Sequence, residues 1–437
     1  MAKLPLLFFI GLTCLSAAVP EGSVPTFNRD VAPILQDHCQ SCHRAGEVAP
    51  MSLIAYKEVR PFAAAIKEAV SLRKMPPWFA DPHYGTFSND RRLSQHDIDT
   101  LVNWAKSGAT EGDPKDLPPP KHFLQGWNIR KPDMVLQMPA AFPVPETGVL
   151  EYQYILVPGN FEKDVWVQMA EVRPGNRAVL HHVIAFVRPP GSKWLASLQP
   201  GVPYVPRKDE TEMGNSQFLV GYAPGVPAMM LAPGRAKLIK AGSDIVLQMH
   251  YTTNGHAGTD RTSVGLSLVD PAEVKERVLT VAAATRDFSI PPNDPNYQVD
   301  AEIKFASDIK IVEMLPHMHL RGKDFEYKAI YPDGTSQTLL RVPHYSFSWQ
   351  LAYIPENDII VPKGTVIHGT AHYDNSANNP ANPDPTKTVT YGDQSWEEMM
   401  FGFFDIAVAK DMDLRNLFPK PKEEATTTAA MPKRGTN

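Results

Sequence analysis

The residues with the most specific chemistry are Cys39-Gln40-Ser41-Cys42-His43. Two thiols at this spacing can add to the two vinyl groups of one haem, and the histidine that follows is placed to ligate the iron. A redox CxxC pair or half of a zinc site would use the same cysteines. The adjacent histidine and the lack of a second CxxC argue against both, so the motif reads as the attachment site of one covalent c-type haem. A sixth iron ligand or an open position must follow. Met75, in Lys74-Met75-Pro76-Pro77-Trp78, is the favoured candidate. A thioether raises the iron potential, and rigid prolines would fix its approach. Met51 and His83 are the alternatives.

Five of the 14 histidines stand in unusual settings. His181-His182 open a candidate strand, His250 ends Leu247-Gln248-Met249-His250-Tyr251, and His317 and His319 flank Met318. Residues i and i+2 of a strand share a face, so His317 and His319 can reach one metal together. Adjacent strand residues point apart. His181 and His182 can share a metal only where the backbone twists or bulges, with His250 supplying a third ligand. Imidazole nitrogen suits zinc or copper, and a thioether favours Cu(I). Glu397-Glu398-Met399-Met400 places a methionine at the start of the last apolar run. A His–His–Met site would hold a copper cycling between Cu(I) and Cu(II). Core packing is the plainer reading of Met399 and Met400.

These residues need elements to position them. Around the CxxCH motif the pattern is helical: a start at 31–35, apolar spacing over 62–72, and a closing helix 94–107 with Ser94 as N-cap and Gly108 as stop. A proline-rich linker over 113–122 ends this part. From about 125 to 415, short apolar or alternating runs are bounded by Pro, Gly, Asn and Asp. They predict strands over 165–172, 183–187, 245–251, 263–268, 309–315, 325–331, 366–373 and 399–408. The expected fold is a small all-α cytochrome c domain followed by two all-β, jelly-roll-like sandwiches. The expected boundaries are a signal peptide at 1–18, the cytochrome domain at 19–120, sandwiches at 121–275 and 276–418, and a disordered tail at 419–437. Lys3, the apolar 4–15 and Ser16-Ala17-Ala18 carry the signal reading, which sends the chain to the periplasm or otherwise out of the cytoplasm. Cys14 leaves with the signal, so Cys39 and Cys42 are the only thiols of the mature chain, and the haem takes both. A formal charge of −5 without a basic run gives no support for nucleic-acid binding. The apolar start is too short to span a bilayer, so the mature chain is expected not to cross a membrane.

In order and interval, His181-His182, His250, His317-Met318-His319 and Met399 resemble the ligands of the copper type II, ascorbate-dependent monooxygenases, the family of peptidylglycine α-hydroxylating and dopamine β-monooxygenases. Leu247-Gln248-Met249-His250-Tyr251 is similar to the family's local motif. The resemblance covers about 290 residues. It implies two β-sandwich domains, each holding one copper across a solvent-filled cleft. By that resemblance His181, His182 and His250 hold the electron-transfer copper, and His317, His319 and Met399 the copper that binds dioxygen. Met399 rather than Met400 follows the family pattern of acidic residue, Glu, Met. The N-terminal part resembles the haem domain fused to such enzymes in some bacteria, on Phe27-Asn28-Arg29-Asp30-Val31-Ala32-Pro33-Ile34-Leu35, the CxxCH motif and Met75-Pro76-Pro77-Trp78. Two departures stand out. No cysteine is left for the disulfides of the animal enzymes. Leu315 and Phe403 occupy positions where the peptide-processing member has a carboxylate-binding arginine and a tyrosine, which implies an apolar pocket.

The expected activity is hydroxylation of a C–H bond in a small, apolar organic molecule with dioxygen, using two coppers. The haem would relay electrons from an exported donor. A non-catalytic electron carrier or redox sensor predicts bound metals without substrate-linked oxygen uptake. A zinc protein predicts no copper signal and no role for Met399. His372, near the second site, is expected to support it at most indirectly, and the Asn-rich loop 374–383 reads as a surface loop.

Overall fold

The computed structural model describes residues 24–123, 126–207, 210 and 216–420. The expected signal peptide and the tail from 421 lie outside them. The chain divides into two compact units: residues up to Pro76 with Leu93–Lys121, and Pro77–Arg92 with the residues from His122 onward.

The described part of the first unit is built on helices Ala32–His38, Tyr56–Val59, Ala63–Ser71 and Gln95–Lys106. The last shows how local sequence sets its ends. The Ser94 hydroxyl accepts from the Asp97 amide at 3.1 Å, and the Asp97 carboxylate accepts from the Ser94 amide. This reciprocal cap satisfies two of the helix's otherwise unpaired N–H groups. Gly108, at φ +100°, allows the chain to turn away after it. Ile98, Leu101 and Trp104 form the buried stripe, and the Trp104 ring nitrogen donates to the Thr110 carbonyl at 3.0 Å. They join a core with Phe27, Val31, Leu35, Leu53, Val59 and Val70, against which Cys39 packs.

The expected first domain, 19–120, is interrupted. Pro77–Arg92 belongs to the second unit, where Trp78 is buried beside Tyr353 with ring centroids 4.9 Å apart. An indole is a large apolar surface to bury, and the larger β core takes it.

The second unit is mostly sheet. One nine-stranded sheet runs in the order Met134–Gln137, Ser263–Val269, Val165–Arg173, Arg235–Ile239, Glu276–Thr285, Met400–Ala409, Ile309–His317, Ile359–Val361, with Met229–Met230 paired beside Val165–Arg173. Two four-stranded sheets cover it. Gln153–Val157, Asp244–Tyr251, Leu180–Arg188 and Gln217–Tyr222 form one; Tyr297–Lys304, Val366–Tyr373, Gly322–Ile330 and Ser336–Val342 form the other. Two apolar cores lie between the layers. One is drawn from residues 136–266 and the other from 279–417 with Trp78 and Ala80. Asp244–Tyr251 is buried along nearly its whole length because both its faces are covered, and Gln248 and His250 are its buried polar residues.

The two sandwiches are not separate beyond residue 275. Glu276–Thr285 pairs in parallel with Arg235–Ile239 through Glu276 and Arg277, so one sheet passes through both. Arg235 pairs with Glu276 at 2.7 Å and also with Asp358, and Lys237 pairs with Asp405 at 3.0 Å with both side chains buried. Among the described residues no helix is long and apolar enough to cross a membrane.

Candidate metal and haem sites

The first histidine group is made by a fault in strand register. Leu180–Arg188 runs against Asp244–Tyr251 with Leu180 opposite Tyr251, but His182 opposite His250; the register slips between Leu180 and His182. This is the irregularity that the adjacent pair needs. His181 Nδ1 stands 3.1 Å from His182 Nδ1, which stands 3.3 Å from His250 Nδ1. Ligand nitrogens about 2.0–2.1 Å from one tetrahedral ion stand roughly 3.3 Å apart, so these separations suit a single metal ion. One ring atom from each of the three histidines lies within 4.8 Å of the others. Burial holds His181 at about 4 and His250 at about 3, and holds His182 well below its usual range, with the neighbouring imidazoles adding to the effect. All three are neutral near pH 7, the form that ligates metals. Tyr152 packs on His250 and His182 at 4.6 and 5.3 Å between ring centroids.

The second group is built differently. His317 ends Ile309–His317 and His319 follows it, with rings 5.3 Å apart and nearly perpendicular. His317 Nδ1 meets the Gln350 side-chain oxygen at 2.8 Å, and His319 Nδ1 meets the Glu397 carbonyl at 3.2 Å. These acceptors place the proton on Nδ1 and leave Nε2 as the donor atom of each ring. His319 Nε2 is buried without a hydrogen-bond partner. A buried lone pair left unmatched in this way fits a metal ligand. Burial lowers His317 to about 4 and His319 well below its usual range. Glu398, wholly buried, accepts the backbone amides of His319 at 2.8 Å and Arg321 at 2.6 Å. Met400 is in the core of the second sandwich, whereas Met399 is half-buried outside it. The Met399 carbonyl accepts from the Tyr373 hydroxyl at 2.6 Å. No described contact joins the Met399 thioether to either imidazole.

One aromatic ring stands between the groups. Phe347 stacks on His181 at 5.1 Å and meets His319 edge-on at 6.0 Å. The resemblance implies a solvent-filled cleft at this place; here an aromatic side chain touches both histidine groups. The continuous sheet and the Lys237–Asp405 pair hold the two sandwiches close enough for that contact.

A cavity of about 60 Å³ reaches from His182 to His317 and Gln350. Leu315 and Phe403, opposite each other on neighbouring strands, line it as expected. The wall is not wholly apolar, because Lys237, Glu313 and Asp405 also face it.

In the first unit, Cys39 and Cys42 are half-buried free thiols. Burial, with Cys42 nearby, pushes the Cys39 thiol up to about 12. His43 is half-buried, and its Nδ1 lies 3.3 Å from the Met51 carbonyl. That contact leaves Nε2 as the ring's donor atom, so the donor set suits a haem. Met75 is half-buried and outside the unit's apolar core, whereas Met51 packs on that core. His83 is exposed, pairs with Asp81 at 2.7 Å and belongs to the second unit.

Gln350, Glu398, Phe347 and Tyr152 escaped the sequence reading. Only Glu398 carried a signal, through its place beside Met399. His372 pairs with Asp324 at 2.7 Å. The Asn-rich loop is more than surface. Asn375 is fully buried and accepts from the Arg321 guanidinium at 2.8 Å.

No protein-family model matches this chain, and no curated protein does. Solved structures that align include the infectious bursal disease virus VP2 subviral particle, at 9% identity over 64% of this chain and 73% of that one, with a TM-score of 0.17. The infectious bursal disease virus Gx strain aligns at 11% identity over 65% and 72%, with a TM-score of 0.18. Bacillus subtilis oxalate decarboxylase aligns at 8% identity over 68% and 83%, with a TM-score of 0.13. Likenesses this low carry no argument about fold or function.

Proposed function

We propose that this chain is an exported, haem-fused copper monooxygenase of the type II, ascorbate-dependent kind, hydroxylating a C–H bond of a small organic molecule. The observation that carries the reading is the pair of buried, neutral histidine groups, one ring apart. Three imidazoles converge in the first, and the second offers an unpartnered His319 Nε2. When bound, copper supplies one-electron redox chemistry at the first group and dioxygen activation at the second.

The chain's own residues do the rest. His181, His182 and His250 would hold one ion; His317, His319 and Met399 would hold the other. Gln350 and the Glu397 carbonyl fix the ring orientation of the second pair. Phe347, Phe403 and Leu315 keep water from the space beside it. Cys39 and Cys42 would attach a haem and His43 and Met75 would ligate its iron; bound there, it would supply one-electron redox chemistry fed by an exported donor protein.

Reconstitution with copper followed by metal and haem quantification tests this reading, expecting two coppers and one haem per chain. Oxygen uptake is then screened across candidate substrates. Copper well below two per chain, or a haem that stays reduced while substrate and oxygen are present, would count against it.

A further inference from the structure

Phe347 packs in neither apolar core of the second unit, yet both histidine groups touch it. Its half-buried ring stacks on His181, with centroids 5.1 Å apart and planes 18° apart, and lies 6.3 Å from His250. It meets His319 edge-on at 6.0 Å and 84°. Both arrangements are attractive ones for a pair of rings.

The ring is fixed from two sides. Two residues before it, the Tyr345 hydroxyl donates to the Met318 carbonyl at 2.7 Å and accepts from the Met318 amide at 3.1 Å. Three residues after it, the Gln350 side-chain oxygen accepts from His317 Nδ1 at 2.8 Å, and its amide nitrogen donates to the Phe347 carbonyl at 3.4 Å. The backbone that carries the ring is thus tied to His317 and Met318, while the ring lies against His181.

The two-copper reading requires one electron to cross between the groups, because a mononuclear copper stores only one of the two electrons that the oxygen chemistry consumes. Tunnelling falls exponentially with distance. It falls more steeply across water or empty space than through packed atoms. Two other routes are poorer. The cavity lined by His182 and His317 offers open space rather than packed atoms. Tyr152 packs on His182 and His250, and its amide donates to the Gln394 side-chain oxygen at 3.3 Å. From there an electron would need the whole backbone from Gln394 to Glu397, whose carbonyl accepts from His319 Nδ1. Phe347 spans the same interval with one ring and two ring contacts.

We propose that Phe347 is the bridge over which one electron passes between the groups, leaving through His181 and arriving through His319. Only the electron moves. Cu(I) at His181, His182 and His250 is oxidised to Cu(II), and Cu(II) at His317, His319 and Met399 is reduced to Cu(I). No bond forms or breaks. The proposal rests on the two-copper reading and adds the route to it.

The test uses the full chain with both coppers oxidised. A radiation pulse in formate solution generates carbon dioxide radical anions in amounts below the chain concentration, so each chain takes at most one electron. Freeze-quenched EPR then follows the Cu(II) signals of the two groups. One should grow as the other fades, at a rate independent of protein concentration. Phe347→Leu should slow this exchange by an order of magnitude or more. It should leave the bound copper, both EPR signals and their final ratio unchanged, all of which a merely structural role would shift. Phe347→Trp keeps an aromatic ring and should exchange at least as fast as the wild type. Gln394→Leu breaks the competing route and should exchange at the wild-type rate; these two variants serve even if Phe347→Leu does not fold. An unchanged rate in Phe347→Leu, a slowed Phe347→Trp, a slowed Gln394→Leu, or slowing accompanied by altered signals would overturn the proposal. Two bound coppers without a concentration-independent exchange would also overturn it and leave the monooxygenase reading standing. Copper well below two per chain would remove both.

Discussion

The two histidine groups are both buried and both neutral, yet they are assembled in opposite ways. His181, His182 and His250 converge through backbone register alone: one slip between two strands brings three imidazoles together. His317 and His319 are oriented by partners from elsewhere, namely Gln350, the Glu397 carbonyl and Glu398 beneath the backbone. The first group is complete within one sheet. The second depends on a loop that brings Glu397 and Met399 beside the end of a strand. A site made by register is insensitive to outer residues, and one made by supporting contacts is exposed to every change in them.

The largest expected effect tests whether the groups are distinct sites. His182→Ala and His319→Ala should each lower bound copper from two to one per chain, measured by metal analysis. Both should cut substrate-linked oxygen uptake by ~100-fold or more. If either variant loses both coppers, the groups form one site and the comparison fails.

Glu398→Gln comes next. It keeps the volume but weakens the acceptor that holds the His319 and Arg321 amides, and should weaken second-site copper by roughly 10–100-fold. The first site should keep its affinity in the same titration. Equal weakening of both would show that the second group's supports also hold the first.

The pH dependence of the copper-free chain follows from the histidines themselves. Their folded-state values are depressed by burial, so the unfolded chain binds more protons below the ordinary imidazole value of about 6.5. Stability is therefore full above that value and is lost as pH falls from there towards about 4. The thermal midpoint should drop by roughly 5 °C or more between pH 7 and pH 5. Copper loading should shrink the drop, because ligation competes with protonation. A midpoint unchanged across this window would mean that the imidazoles are not buried as the structure has them.

The smallest effect separates two adjacent methionines. Met400→Leu should cost less than about 1.5 kcal/mol and leave both coppers bound, since Met400 is core. Met399→Leu should leave stability unchanged and weaken Cu(I) in the second group only. The reverse pattern would exchange their roles.

Strand positions were largely legible. All eight predicted runs are strands, because Val, Ile and aromatic runs between turn residues leave few alternatives. Glu276–Thr285 was not legible. Its Thr-Val-Ala-Ala-Ala-Thr run has little β signature, and it is a strand because Met400–Ala409 pairs along its whole length. The membership of Pro77–Arg92 was hidden too, since only the competition between two cores decides where Trp78 goes.

By itself the sequence determined the chemical inventory: two thiols and a histidine at haem spacing, two close histidine pairs, and a methionine before the last strand. Those depend on residue type and local spacing, which chain order carries. Tertiary structure decided which donors meet. The slip at His182, the Gln350 and Glu398 contacts and Phe347 between the groups all join residues distant in the chain. Their contacts exist only once strands far apart in sequence have paired and excluded water, and no local pattern of residues encodes that.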